Sequence, residues 1–156
     1  MRRVLLPLLA IAALGGLSAC GGESMTASEY RAAAKKVCTD SQQATDAVER
    51  PQRATTDSIA DYLQRLLEAN ERTTDRFGEL DPPEKLAKAH AEVLKVNEEG
   101  ADEVRAIIKR LKSGEDPAQV LQAATGPLRQ LNERSNAAAK KLGVAACVQE
   151  PQTPEE

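Results

Sequence analysis

Residues 81–119 read DPPEKLAKAHAEVLKVNEEGADEVRAIIKRLKSGEDPAQ, and the fold follows from this stretch. Asp81-Pro82-Pro83-Glu84 predicts a helix start, with Asp81 as N-cap, proline at the first helical position and Glu at the third. Asp116-Pro117-Ala118-Gln119 repeats the device with Gln at the third position. Between the two starts, Leu86, His90, Val93, Asn97, Gly100, Val104, Ile107 and Leu111 recur at alternating steps of four and three. That spacing lays one stripe along a helix. Gly114 stops it, so roughly 30 residues at 1.5 Å each make one long helix, the third of the chain.

The same periodicity extends to both sides. Helix four follows Asp116 with Leu121, Ala124, Leu128, Leu131, Ser135, Ala138 and Leu142 inward, and ends at Gly143. Pro127 falls inside it and predicts a kink, because proline removes a donor and clashes with the carbonyl four residues back. Helix two, capped by Thr55 or Thr56, carries Ile59, Leu63, Leu66, Asn70, Thr73 and Phe77 and stops at Gly78. Helix one opens at the capping box Thr26-Ala27-Ser28-Glu29, carries Tyr30, Ala34, Val37, Ser41, Ala44 and Val48, and stops before Pro51. Strong helix formers dominate the composition, and aromatics reduce to one Phe and two Tyr with no Trp. The reading is an all-α protein over residues 26–148. Short connections favour antiparallel neighbours and thus an up-down-up-down four-helix bundle with an aliphatic core.

The N-terminus reads differently. Arg2 and Arg3 form a positive region, Val4 to Leu14 an apolar one, and Leu17-Ser18-Ala19-Cys20 places small residues before a cysteine. This resembles a bacterial lipoprotein signal peptide. The resemblance implies that residues 1–19 are removed between Ala19 and Cys20, and that Cys20 carries a diacylglyceryl thioether as the first residue. An uncleaved anchor is the alternative, but Val4 to Ala19 falls short of the roughly 18 apolar residues of a spanning helix. Residues 20–25 then form a lipidated tether of at most about 20 Å. The bundle resembles the small helical lipoproteins of high-GC Gram-positive bacteria through Cys38, Cys147 and the Asp-Pro-Pro turn, a resemblance that implies no activity.

Removing residues 1–19 takes away Arg2 and Arg3 and changes the formal charge from −3 to −5. An acidic chain of this kind excludes nucleic acid as a partner and leaves membrane attachment to the lipid. With Cys20 assigned to lipid, Cys38 and Cys147 remain in a chain exported to an oxidising compartment, where they pair. Two buried thiols are the alternative. The up-down-up-down order puts the start of helix one and the end of helix four at one pole, so a segment turning back after Gly143 reaches Cys38. Residues 149–156 are acidic, hold two prolines and nothing large to bury, and read as a disordered tail.

Stacking the four seams gives a layer of Tyr30, Phe77, Leu86 and Leu142. Above it, Ser41, Asn70, Thr73, His90, Asn97 and Ser135 fall in three adjacent layers beside the small residues Ala34, Ala138 and Gly100. Two readings stand: a polar cavity between helices that holds a small molecule, or a hydrogen-bonded network that fixes register. His90 is the only histidine, and Ala87 stands where a Glu-x-x-His pair would need its carboxylate, so neither a metal nor any other cofactor is expected beyond the lipid on Cys20. Glu98, Glu99, Asp102 and Glu103 crowd helix three but spread over a solvated face. No catalytic constellation is visible. The expected protein is a membrane-anchored, extracytoplasmic, non-catalytic binding module with a partner protein in the envelope. A structural envelope component and a small-molecule carrier are the alternatives.

Overall fold

A computed structural model describes residues 24–149, so the stretch read as a signal peptide, the expected lipidation position Cys20, and residues 150–156 of the expected tail lie outside the described residues. Four helices follow in order: α1 Ala27–Asp46, α2 Thr56–Gly78, α3 Glu84–Lys112 and α4 Pro117–Leu142, with a 3₁₀ turn at Ala145–Cys147. There is no strand among the described residues. The fold is an all-α four-helix bundle closed by one disulfide, as the periodicity and the cysteines predict.

The caps explain where the helices begin. At α1 the Thr26 hydroxyl accepts from the Glu29 amide at 3.3 Å, while the Glu29 carboxylate accepts from the Thr26 amide at 2.9 Å. Thr55 and Ser58 make the corresponding reciprocal pair at α2. Asp116 accepts from the Gln119 amide at 3.0 Å, with Pro117 at the first position of α4. The predicted start of α3 is the exception. Its N-cap is Pro83, with ψ of 150° and no side-chain cap, and Asp81 lies outside the helix. A residue before proline is pushed out of the helical region, so Pro82 cannot open a helix that Pro83 follows. The Asp81 carbonyl instead accepts from the Met25 amide at 3.3 Å.

α3 is the spine, with α2 and α4 on either side of it. At one pole all four helices meet: Tyr30, Ala34 and Val37 of α1, Phe77 of α2, Leu86 and Val93 of α3, and Ala138 and Leu142 of α4 form one buried cluster with Val144. At the other pole a second cluster joins only Ala60 and Leu67 of α2, Ala101, Ile107, Ile108 and Leu111 of α3, and Val120 and Ala124 of α4. The reason is length. α1 has 20 residues against 29 in α3, so it is shorter by roughly 13 Å and never reaches the second pole.

The short α1 corrects the upper part of its expected seam, where Ala44 is exposed and Val48 only half-buried beyond the helix end. On α4 Val120 and Ala124 take the core positions, which turns Leu121 outward at 40% exposure. α3 is flanked on two sides, so its buried stripe is broader than the predicted seam and takes in Val96, Ala101 and Ile108. α4 runs unbroken through Pro127; Ala123 and Pro127 are both exposed, so the carbonyl left without a donor lies on the solvent side.

α4 ends at Gly143 in the left-handed region, φ +73°, and the Arg31 guanidinium donates to the freed Leu142 carbonyl at 2.8 Å. A side chain at 143 would meet both the φ penalty and Arg31, 2.9 Å from its first carbon. The chain then folds back, burying Val144 and joining Cys147 to Cys38 with Cα atoms 5.1 Å apart. Gln149, expected to open the tail, is instead clamped by Asn136 through two reciprocal hydrogen bonds of 2.8 Å.

Two stability predictions follow from this packing. The disulfide closes a separation of 109 residues, for which the chain-entropy model gives at most about 4 to 5 kcal/mol. Cys38→Ala/Cys147→Ala is therefore expected to lower the melting temperature while the far-ultraviolet circular dichroism of the folded state keeps its helical form. Loss of the helical signal at 20 °C would contradict it. Gly100 lies inside α3, and a Cβ built on it meets nothing within 4 Å. Gly100→Ala is expected to stabilise by roughly 0.5 to 1 kcal/mol, measured by urea titration, because only the backbone entropy changes.

Candidate functional site

His90 is the one buried polar side chain among the described residues, at 7% exposure. α3 places it on the four-helix pole, between Leu86 and Val93 on the stripe, where α1 delivers Tyr30 and α2 delivers Phe77. The Tyr30 hydroxyl and His90 Nδ1 lie 2.9 Å apart. The Phe77 ring stacks on the imidazole, with centroids 5.1 Å apart and planes at 15°, and Tyr30 meets both rings edge-on. Three of the chain's few rings thus sit together in an otherwise aliphatic core.

Burial favours the uncharged form of both groups. It pushes the Tyr30 hydroxyl up to about 12 and holds the His90 imidazole below its ordinary value. The phenol keeps its proton beside a neutral ring, and which of the two donates follows the imidazole tautomer. A protonated ring can only donate at Nδ1, so the charged form loses the ability to accept the Tyr30 proton.

The remaining polar layer residues are brought together only in part. Thr73 donates to Ser41 at 3.0 Å across the α1–α2 contact, and its hydroxyl also lies 2.9 Å from the Ala69 carbonyl. Asn70, Asn97 and Ser135 are half-buried and make no side-chain hydrogen bond among the described residues. The small residues Ala34 and Ala138 are filled in around, both packed into the core cluster, whereas Gly100 borders open space. The polar residues therefore separate into a Tyr30–His90 pair, a Ser41–Thr73 pair and three half-buried side chains.

Two of the four crowded carboxylates of α3, Glu99 and Asp102, are held by arginines. Arg134 of α4 reaches Glu92 at 2.9 Å and Glu99 at 2.5 Å, and Arg105 holds Asp102 at 2.6 Å together with Glu71 of α2. A third staple joins Arg76 of α2 to Asp40 of α1, where Lys36 and Arg76 hold the Asp40 carboxyl below its usual range. Every sequential helix pair therefore carries one cross-helix arginine. These pairings escape sequence periodicity because surface residues carry no core register. The Arg staples are exposed enough that they set alignment more than stability.

Two open grooves lie elsewhere. One of about 500 Å³ runs between α2 and α3 near the three-helix pole, lined by Gln64, Arg105, Ile108, Lys109, Lys112 and Ser113. The other, about 630 Å³, lies beside the α1–α2 connection and includes Arg50, Arg53 and Arg65. None of the six polar layer residues lines either groove. Among the described residues no three His, Cys, Asp or Glu side chains converge as metal ligands, and no helix is long and apolar enough to cross a membrane. No family model, curated protein or solved structure matches the chain.

The buried imidazole makes stability depend on pH in a definite direction. Its pKa is lower in the folded than in the unfolded chain, so the unfolded chain binds the proton first as pH falls below 6.5. Stability contributed by neutral His90 is complete above that value and is lost progressively on acidification toward the folded pKa. Between pH 7.5 and 5 the wild type should lose more thermal stability than His90→Gln, which cannot titrate. Parallel melting-temperature profiles for the two proteins would contradict this.

Proposed function

We propose that the protein is a membrane-anchored lipoprotein on the extracytoplasmic face, acting as a non-catalytic interaction module of the cell envelope. The observation that carries the reading is the Cys38–Cys147 disulfide, present in a chain whose only other cysteine is Cys20 of the lipobox-like stretch. Disulfides persist in oxidising compartments, so the bridge and the export signal support each other. The absence of a third thiol in the bundle leaves Cys20 free for lipid.

The interaction role rests on where the polar chemistry goes. Among the described residues the buried His90 is engaged with Tyr30, and the half-buried polar seam residues line neither groove, whereas the arginine and lysine side chains of the two grooves face solvent. Such a surface suits contact with another macromolecule better than chemistry on a small one. The acidic formal charge keeps nucleic acid out of the list of partners.

The lipid assignment is decided by Cys20→Ala. Cells fed a clickable fatty acid should label the wild type and leave the variant unlabelled, and the variant should leave the membrane fraction. Equal labelling of the two would remove the anchor, and with it the envelope role.

A further inference from the structure

The direction in which the chain enters the bundle is fixed by Met25. Its backbone amide donates to the Asp81 carbonyl at 3.3 Å, and its side chain packs against the four-helix core cluster. Met25 is thereby pinned to the α2–α3 turn, next to the first residue of α1 and the end of α4, and the turn exposes Glu79 and Asp81 with Leu80 partly buried. Only Gly21, Gly22, Glu23 and Ser24 separate this anchored residue from Cys20. Fully extended, that connection spans at most about 20 Å, less than half the length of α3, which is roughly 43 Å for its 29 residues.

We infer that the bundle stands on the lipid bilayer by its four-helix pole, with the α2–α3 turn facing the headgroups and the three-helix pole directed away. This rests on the reading of Cys20 as lipidated. A tether shorter than the bundle cannot let either pole approach the bilayer equally, because pinning Met25 holds the anchor point at one end. Near that pole acidic and basic side chains are closely matched, Glu29, Asp75, Glu79, Asp81 and Glu84 against Arg31, Arg76, Lys85, Lys88, Lys140 and Lys141. The surface neither repels anionic lipid strongly nor needs it, so the tether sets the orientation. The α1–α2 connection, the α3–α4 connection and the groove around Lys109 and Lys112 are then presented outward, about 40 Å from the headgroups.

The test uses the full, lipidated chain reconstituted into phosphatidylglycerol and phosphatidylethanolamine vesicles that carry a headgroup acceptor dye. A donor is placed by a genetically encoded amino acid at Asp81 or at Ser113, both exposed and neither with a side-chain hydrogen bond across helices. Energy transfer from residue 81 should exceed that from residue 113 several-fold, and inserting a long Gly-Ser linker after Gly22 should shrink the difference. Equal transfer from a chain that mass spectrometry shows to be lipidated, or stronger transfer from 113, would overturn the orientation alone. A chain recovered at the vesicle without lipid on Cys20 would overturn the lipoprotein reading and the orientation together.

Discussion

The position of α1 is the constraint on which the rest depends. α2, α3 and α4 form a continuous layered unit with α3 in the middle, but α1 covers only the pole where the described residues begin and end. It is held there by three different kinds of contact. Tyr30 is fully buried against Phe77 and His90, Arg31 donates to the Leu142 carbonyl, and Cys38 is bonded to Cys147. Full burial of one large aromatic contributes on the order of 2 to 3 kcal/mol, comparable with what a long-loop disulfide adds by restricting the unfolded chain. Neither alone decides whether a 20-residue helix with a weakly apolar seam stays docked. Together they tie the first helix to the segment that follows the last.

That arrangement makes the segment after α4 part of the bundle. Gly143 reverses the chain, Val144 enters the core and the 3₁₀ turn carries Cys147 into the space between α1 and α4. In an evenly closed four-helix bundle the first and last helices would pack directly. Here the returning segment supplies the packing, and Asn136 fixes its end at Gln149. The price in sequence is modest: one glycine, one valine and one cysteine at the right places.

The sequence made the helices legible because their signals are local. Thr26, Thr55 and Asp116 cap where the pattern says, and Gly143 stops α4 through a backbone conformation that favours glycine. Asp81 does not cap α3 for an equally local reason: Pro83 holds Pro82 out of the helical region and so makes itself the N-cap. What periodicity could not give was the width of each stripe. A strict step of four and three assigns one line per helix, whereas α3 has neighbours on two sides and buries Val96 and Ala101 beside the predicted Val93 and Ile107. Likewise Leu121 and Val120 are adjacent in sequence, and only the rotation of α4 against α3 selects Val120. The candidate site was legible as a set of layers but not as bonds. Tyr30 and His90 were placed one layer apart, and their hydrogen bond spans that step because the phenol reaches up from its own layer. The surface arginines had no signal at all, because a cross-helix ion pair depends on helix rotation and not on spacing along the chain.

The division of polar chemistry bears on function. A site that turns over or carries a small molecule needs polar groups whose hydrogen-bonding capacity is left for the ligand. The buried His90 is paired with Tyr30 and stacked on Phe77, while Asn132 Oδ1 of α4 is buried without a hydrogen-bond partner. Thr73 and Ser41 satisfy each other across α1 and α2. Interior polarity therefore works on helix register: each pair fixes α1 against a partner helix along a seam where Ala34 and Ser41 give hydrophobic packing little purchase. Lys109, Lys112, Arg50 and Arg53 lie instead on the outer faces and connections, in grooves open to solvent. The pairs that hold α1, the disulfide and the returning segment all gather at the pole where the described residues begin and end, so that pole is the most tightly tied part of the bundle.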